Sequence, residues 1–333
     1  MYIFCLKNFA YYSAIKPQKI ILLDKISVII PVYFNEDTLA NTYAELKAVC
    51  DKNSSEFDYE LILVDDGSKD NSYAVMKELA QKDGKIKLVK LSKNHGSYIA
   101  ILAAMKFAAG DAVTYLPADL QDPPILVAQL YNKWVEENRK AMVFGVRTTR
   151  KDPLLSKIYS YFFYKLFRAF VLPEYPDKGF DCFFVNKKQK DLIVQMDEKN
   201  SHLTAQIVWL GFKQVFVYYN RQERPAGKSR WTLFKKFKLA FDTFFGFSAR
   251  PLRIASLLGM NVSMVGFLMA IYILIKKVFS DTPLFGIPSL MVTILIIGGL
   301  ILLSIGIIGE YMWRNFDETR KRPSYIVEET LNC

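Results

Sequence analysis

Four short polar runs hold most of the side chains able to do chemistry: Pro31-Val32-Tyr33-Phe34-Asn35-Glu36, Asp65-Asp66-Gly67-Ser68, Lys93-Asn94-His95-Gly96 and Asp119-Leu120-Gln121-Asp122. Their carboxylates and amides are hard oxygen donors, and a set such as Asp119 and Gln121 suits Mg²⁺ or Mn²⁺. No G-x-G-x-x-G follows the first apolar run and no G-x-x-x-x-G-K-[ST] occurs anywhere, so the glycine-rich phosphate cradles are absent. A nucleotide diphosphate bound here would need a divalent cation as its counter-charge. A second group is basic: from Arg221 to Arg253 nine basic residues face two acidic ones, which supplies +7 of the chain's net +11. Such a stretch fits a phosphate group or an anionic lipid surface. Of the two histidines, His95 lies in the third polar run, whereas His202 follows Asn200-Ser201 at a helix start and reads as surface or core packing.

The polar runs must be positioned by what precedes them. Residues 26–32, 59–64, 86–91, 113–116 and 141–146 are apolar and rich in β-branched side chains, the pattern of buried strands. Between them lie helical stretches at 38–52, 71–82, 97–109 closed by Gly110, and 125–137 opened by Asp122-Pro123-Pro124, with Asp70 read as a helix N-cap. This alternation predicts an α/β fold with a doubly wound, mostly parallel sheet. All four polar runs then fall beyond strand carboxyl ends, the edge where open α/β sheets bind ligands.

The chain has 333 residues, of which 51% are hydrophobic and 23% charged. That composition excludes a disordered chain, and a mean hydropathy of +0.11 is high for a soluble enzyme. The four cysteines, Cys5, Cys50, Cys182 and Cys333, are far apart, which predicts reduced thiols and no zinc site. Residues 254–275 and 282–309 contain no Asp, Glu, Lys or Arg and are each long enough to cross a bilayer as a helix. Arg250 and Arg253 before the first span, and Arg314, Arg320, Lys321 and Arg322 after the second, place both flanks in the cytosol by the positive-inside rule. Tyr311 and Trp313 read as anchors at the membrane interface. Ahead of the first span, Phe234, Phe237, Phe241, Phe244 and Phe245 share one helical face, the pattern of a helix lying in the headgroup layer. The first residues carry no pattern of a cleaved signal peptide. No nucleic-acid motif accompanies the basic stretch, so a nucleic-acid partner is not expected.

The order PVYFNE, LVDDGS, KNHG, ADLQDPP, GFD at 179–181, RPAGKSRW at 224–231, two apolar spans and GEYMWRNFDETRKRP resembles the polyprenyl-phosphate glycosyltransferases of glycosyltransferase family 2. Dolichol-phosphate mannose synthase and the bacterial glucosyl and aminoarabinosyl undecaprenyl-phosphate synthases form that group. The resemblance implies a GT-A fold and transfer of one sugar, with inversion, from a UDP- or GDP-sugar to polyprenyl phosphate, with UDP-glucose favoured and Mg²⁺ or Mn²⁺ as cofactor. It implies an enzyme of the inner membrane with catalytic domain and both termini cytosolic, and its members are often homo-oligomers. The expected divisions are an N-terminal extension at 1–25, a catalytic domain at 26–230, an amphipathic interface helix at 231–250, a two-helix membrane domain at 251–310 and a tail at 311–333.

Carried over residue by residue, Pro31, Tyr33 and Glu36 match the first nucleotide-binding turn, and Asp65 the base-binding position. Asp66, Lys93, His95 and Gly96 line the donor, and Asp119 and Gln121 hold the metal. Asp181 and Arg147 serve the acceptor together with Arg221, Arg224, Lys228, Ser229 and Arg230, the basic side chains clamping its phosphate. Three departures stand out. Phe34 lengthens the usual PVYNE, Pro117 replaces the first Asp of D-A-D-L-Q, and Gly179-Phe180-Asp181-Cys182-Phe183 replaces G-D-F-R-L. Pro117 motivates an alternative, a membrane-anchored nucleotide-sugar-binding pseudoenzyme. A processive polysaccharide synthase would carry Q-x-x-R-W, but Gly227 stands where that Gln would be.

Overall fold

The computed structural model describes residues 23–148, 163–169, 171–177, 179–196, 202–222, 248, 250–279 and 286–333. Arg224, Lys228, Ser229, Arg230 and the phenylalanine-bearing segment lie outside the described residues, as does nearly all of the N-terminal extension.

Strands and helices alternate as the apolar pattern requires: β1 (Asp24–Val32), α1 (Leu39–Lys52), β2 (Phe57–Asp65), α2 (Ser72–Lys82), β3 (Ile86–Leu91), α3 (Ser97–Met105), β4 (Ala112–Tyr115), α4 (Ile125–Glu136) and β5 (Met142–Arg147). Then come β6 (Cys182–Asn186), α5 (Lys187–Met196), α6 (Leu203–Trp209), β7 (Gln214–Tyr219), the long helices α7 (Arg250–Phe279) and α8 (Ile287–Thr319), and a last strand β8 (Val327–Leu331). The strands form one sheet in the order β7-β5-β6-β4-β1-β2-β3-β8.

Because successive strand side chains point to opposite faces, each strand feeds two cores. Val28, Ile30, Leu61, Leu63 and Phe184 pack with Leu46 of α1, Met76 of α2 and Trp134 of α4 on one face. Ile29, Ile62, Val64, Phe183 and Val185 pack with Ala100–Met105 of α3, Ile193 of α5 and Ile207 of α6 on the other. Burial on both faces explains why these strands read as continuous apolar runs rather than as alternating ones. The parallel register of β1 on β2 runs from Asp24↔Phe57 to Val32↔Asp65, so both strands end level and deliver their polar turns side by side.

The expected parallel core is present in β4-β1-β2-β3, and β5 pairs in parallel with β7. Two strands run the other way: β6 against β4 and β5, and β8 against β3. The return of residues 327–331 to the sheet differs from a free-running tail, because the edge of β3 offers unpaired backbone groups. Helix α3 stops at Met105 rather than 109, since Lys106, Phe107 and Ala108 donate to carbonyls three residues back, at 3.3, 3.0 and 3.3 Å. Gly110 serves close approach instead of capping: a Cβ there would lie 2.6 Å from the Lys25 carbonyl oxygen. The N-cap of α2 is Asn71, one residue after Asp70, although Asp70 Oδ1 still accepts the Ser72 N–H at 3.2 Å.

Helices α7 and α8 pack on each other. Their apolar windows, Leu252–Met269 and Ile296–Thr319, have hydropathies of 1.6 and 1.8 and are only 6% and 0% buried within the protein. Helices this apolar and this uncovered are suited to lipid and associate the chain with a membrane. The Arg250 guanidinium at the start of α7 donates to the Ala169 carbonyl of the globular unit, and the Tyr311 hydroxyl of α8 donates to the Ser248 carbonyl just before α7 at 2.6 Å.

Candidate active site

The level ends of β1, β2, β3 and β4 bring the four polar turns to one edge of the sheet. The first two interlock: Asp66 N–H donates to the Val32 carbonyl at 2.9 Å, Phe34 N–H to Ser68 Oγ at 3.1 Å, and Asn35 N–H to Ser72 Oγ at 2.8 Å. Phe34, the residue by which PVYFNE is lengthened, takes φ 57°, so the extra residue is absorbed as a one-residue left-handed kink. Beyond the kink, Glu36 accepts the Asn71 N–H at 2.8 Å, an acidic partner for the start of α2. The fourth turn is pinned by the start of α1, where the hydroxyls of Thr38, its N-cap, and Thr42 donate to the Ala118 carbonyl at 2.9 and 3.1 Å.

Two adjacent carboxylates at the end of β2 have different employment. Asp66 accepts the N–H groups of His95 at 2.7 Å and Gly96 at 2.9 Å and the Asn94 amide at 3.0 Å, so it holds the third polar run in place. Burial pushes its carboxyl up to about 6, against the pull of those N–H donors. Asp65 is 0% exposed; its Oδ1 accepts the Ser68 N–H at 3.1 Å, while its Oδ2 has no hydrogen-bond partner. Burial raises its pKa as well. A buried carboxylate oxygen left unpaired is costly in a protein interior, and donors brought by a ligand would relieve that cost. Lys93 and Asn94 are exposed on the rim, and Gly96 takes φ 94° at the start of α3, a conformation that favours glycine.

The second half of the edge is assembled from strands far apart in sequence. Arg147 at the end of β5 and Asp181 ahead of β6 form a two-bond guanidinium–carboxylate pair. Although burial disfavours its charge, the Asp181 carboxylate holds the Arg147 pKa above the usual arginine value. Asp122, 1% exposed, accepts the Tyr219 hydroxyl at 2.7 Å and faces Arg221 Nε at 3.6 Å. Its pKa is raised, with burial outweighing the Tyr219 bond and the arginine charges. The Gln222 N–H donates to the Gln121 carbonyl at 2.9 Å, tying the chain after β7 to the Asp119-Gln121 turn.

The Glycosyl transferase family 2 model matches residues 27–216. The chain is 38% identical over 305 residues to the uncharacterized glycosyltransferase YkcC of Bacillus subtilis, covering 91% of this chain and 93% of that protein. The chain belongs to glycosyl transferase family 2. It is a glycosyltransferase, and its mixed sheet with helices on both faces is the family's GT-A-like fold. A further relative, the prophage bactoprenol glucosyl transferase homolog of Escherichia coli, is 31% identical over 305 residues, 91% of this chain and 98% of its own. Among solved structures, the mannosyl-3-phosphoglycerate synthase of Rubrobacter xylanophilus aligns at a TM-score of 0.45 and 18% identity, over 66% of this chain and 71% of that one.

Family 2 enzymes commonly use a divalent metal, and the fourth turn fits one. Asp119 Oδ1 accepts the Gln121 N–H at 3.2 Å across Leu120, which takes φ 53°. A carboxylate and an amide oxygen on one bend suit a hard cation. Among the described residues no cluster of three or more His, Cys, Asp or Glu side chains could cage an ion, so the remaining ligands would come from phosphate oxygens and water, as Mg²⁺ prefers.

The edge thus gathers Pro31, Tyr33, Glu36, Asp65, Asp66, Lys93, His95, Gly96, Asp119, Gln121, Arg147, Asp181 and Arg221. Two further residues emerge only in three dimensions. Asp122 reads in the sequence as part of a helix opening and Tyr219 lies beyond the strands read from the sequence, yet they meet in the second half of the edge. Asp122 could have been found from its place in the same run as Asp119 and Gln121, whereas nothing local marks Tyr219. His202 is a packing residue, its ring 4.4 Å from that of Tyr98, and burial pushes its pKa down to about 4.

Proposed function

We propose that this enzyme transfers one sugar, with inversion, from a nucleotide sugar to polyprenyl phosphate at the cytosolic face of a membrane, with a UDP-sugar such as UDP-glucose as donor. The observation that carries the reading is one sheet edge holding both an oxygen-rich turn, Asp119 and Gln121, and two arginines, Arg147 paired with Asp181 and Arg221 beside Asp122, in a chain with two lipid-suited helices. Relatives named bactoprenol glucosyl transferase, such as that of Shigella phage SfII at 30% identity over 92% of this chain, support the lipid acceptor.

In this reading Asp65, with its unpaired Oδ2, accepts donors of the nucleotide, and the turns at 31–36 and 93–96 enclose it. Asp119 and Gln121 would hold Mg²⁺ or Mn²⁺, which would neutralise the departing diphosphate. The acceptor phosphate is largely ionised at neutral pH, since the second pKa of a phosphate monoester is about 6, and it needs little help from a general base. Arg221 and the following Arg224, Lys228 and Arg230 hold that phosphate in line with the anomeric carbon. Asp181 does not act as a free base: its two oxygens are engaged by Arg147, so the pair orients rather than abstracts. Asp122 and Tyr219 fix the root of the basic segment. The interface helix at 231–250 and both termini belong on the cytosolic side.

The test is incubation of membranes containing the protein with undecaprenyl phosphate and a panel of UDP- and GDP-sugars, with products identified by mass. A glycolipid bearing one sugar is expected. A ladder of longer products would point to a processive synthase, and nucleotide-sugar binding without any product to the pseudoenzyme.

A further inference from the structure

The chain after α8 turns at Lys321, φ 49°, and runs directly past the Lys93–Gly96 loop before it becomes β8. Ser92 N–H donates to the Ile326 carbonyl at 3.0 Å, and Ser324 lies beside the His95 ring. Between these contacts Tyr325, 9% exposed, packs into the core that α3 shares with β3, and the Lys106 ammonium lies 5.0 Å from its ring centroid. Further on, Glu328 pairs with Lys90 at 3.0 Å and Glu329 with Lys77 at 2.8 Å. The other flank of the loop is held by Asp66 and abuts Gly67, where a Cβ would lie 2.5 Å from the Lys93 carbonyl carbon.

We infer that residues 324–327 form a strap, with Tyr325 and Ser324 as positioning residues, that clamps the Lys93–Gly96 loop against Asp66 and so couples the end of the membrane helix α8 to nucleotide binding. The first half of the loop is open to solvent, with Ser92, Lys93 and Asn94 exposed, while His95 and Gly96 are half-buried. A loop held on one flank alone must be ordered by its ligand, which weakens binding. With both flanks held, the ordering is already in place. A strand that merely covered the edge of β3 would affect stability and not donor binding. The functional part of the inference rests on the proposed nucleotide-sugar reaction.

The experiment uses the full chain in detergent micelles. Hydrogen exchange at the amides of residues 93–97 is measured without ligand, and the KM values for UDP-glucose and undecaprenyl phosphate are measured separately. For Tyr325→Ala we expect exchange at these amides to quicken and the donor KM to rise, each about tenfold, with the acceptor KM unchanged. Tyr325→Phe, which keeps the ring over Lys106, should restore both, and Glu329→Ala, in the middle of β8, should leave the donor KM alone. Unchanged exchange and donor KM in a folded Tyr325→Ala protein would overturn the strap, as would an equal loss in Glu329→Ala. Tyr325→Leu takes the place of the alanine variant if that one does not fold. Should the wild type transfer from no nucleotide sugar, the functional reading fails, while the exchange comparison still judges the strap.

Discussion

The two ends of β2 treat buried carboxylates in opposite ways. Near its beginning Glu60, 3% exposed, receives Lys25 at 2.8 Å, Lys87 at 3.3 Å, the Ser27 hydroxyl at 2.7 Å and the Ala109 N–H at 2.7 Å. Burial alone would raise its pKa, but these partners outweigh it and hold the carboxyl below the usual glutamate value. At the other end Asp65 and Asp66 are no more exposed, yet burial wins and both pKa values are raised. A saturated carboxylate stabilises the fold and has nothing left for a ligand. An under-saturated one such as Asp65, whose Oδ2 has no hydrogen-bond partner, costs stability but keeps the capacity to bind, whereas Asp66 spends both oxygens on the 94–96 loop. The same contrast recurs across the sheet at Asp122, whose pKa burial also raises.

Substitutions can break this comparison. The largest effect is expected at the functional edge: Asp119→Ala should lower sugar transfer by about a thousandfold through loss of cation binding, with circular dichroism and melting unchanged. Transfer within tenfold of wild type would remove Asp119 from that role. Next comes Arg221→Ala, which under the proposed function gives up a charge-assisted contact to the acceptor phosphate. It should cost about 1.5 to 3 kcal/mol of transition-state stabilisation, roughly ten- to a hundredfold in rate, with donor affinity unchanged. Near-normal transfer in detergent would return the basic segment to membrane electrostatics.

The structural edge should respond in the other currency. Glu60→Gln strips the charge that Lys25 and Lys87 face and should lower unfolding free energy by about 2 kcal/mol, a figure kept modest because Lys25 is 40% exposed. The KM values should not move, and denaturant titration beside steady-state kinetics separates the two readouts. Because the Glu60 pKa is depressed in the folded state, its contribution is complete above the unfolded value of 4.5 and is lost as pH falls through the folded one.

The smallest effect sharpens the contrast through pH. Asp66 titrates near 6 when folded against 3.8 when unfolded, so its ionisation makes the fold less stable as pH rises across that window, the reverse of Glu60. Below pH 6 a protonated Asp66 should hold the 94–96 loop less well, raising the donor KM about fivefold, and Asp66→Asn should show that raised KM at every pH. A donor KM in the wild type that is flat between pH 5 and 8 would argue against the loop anchor.

Local pattern made half of this architecture legible. Apolar runs of β-branched residues mark β1 to β5, and each polar turn had to follow one of them. In a parallel sheet those turns share one edge whatever the strand order, so PVYFNE, DDGS, KNHG and DLQD could be grouped from the sequence alone. Hydropathy likewise marked both membrane helices, because length without charge suffices. What no local window contains is pairing. Arg147 meets Asp181 because β6 runs antiparallel beside β5, Tyr219 reaches Asp122 because β7 adds in parallel beyond it, and Ile326 reaches Ser92 because β8 closes the far edge. Each contact joins residues from distant segments whose own sequences favour no particular partner. Strand order and register decided them, since those are set by how the whole chain buries its two cores.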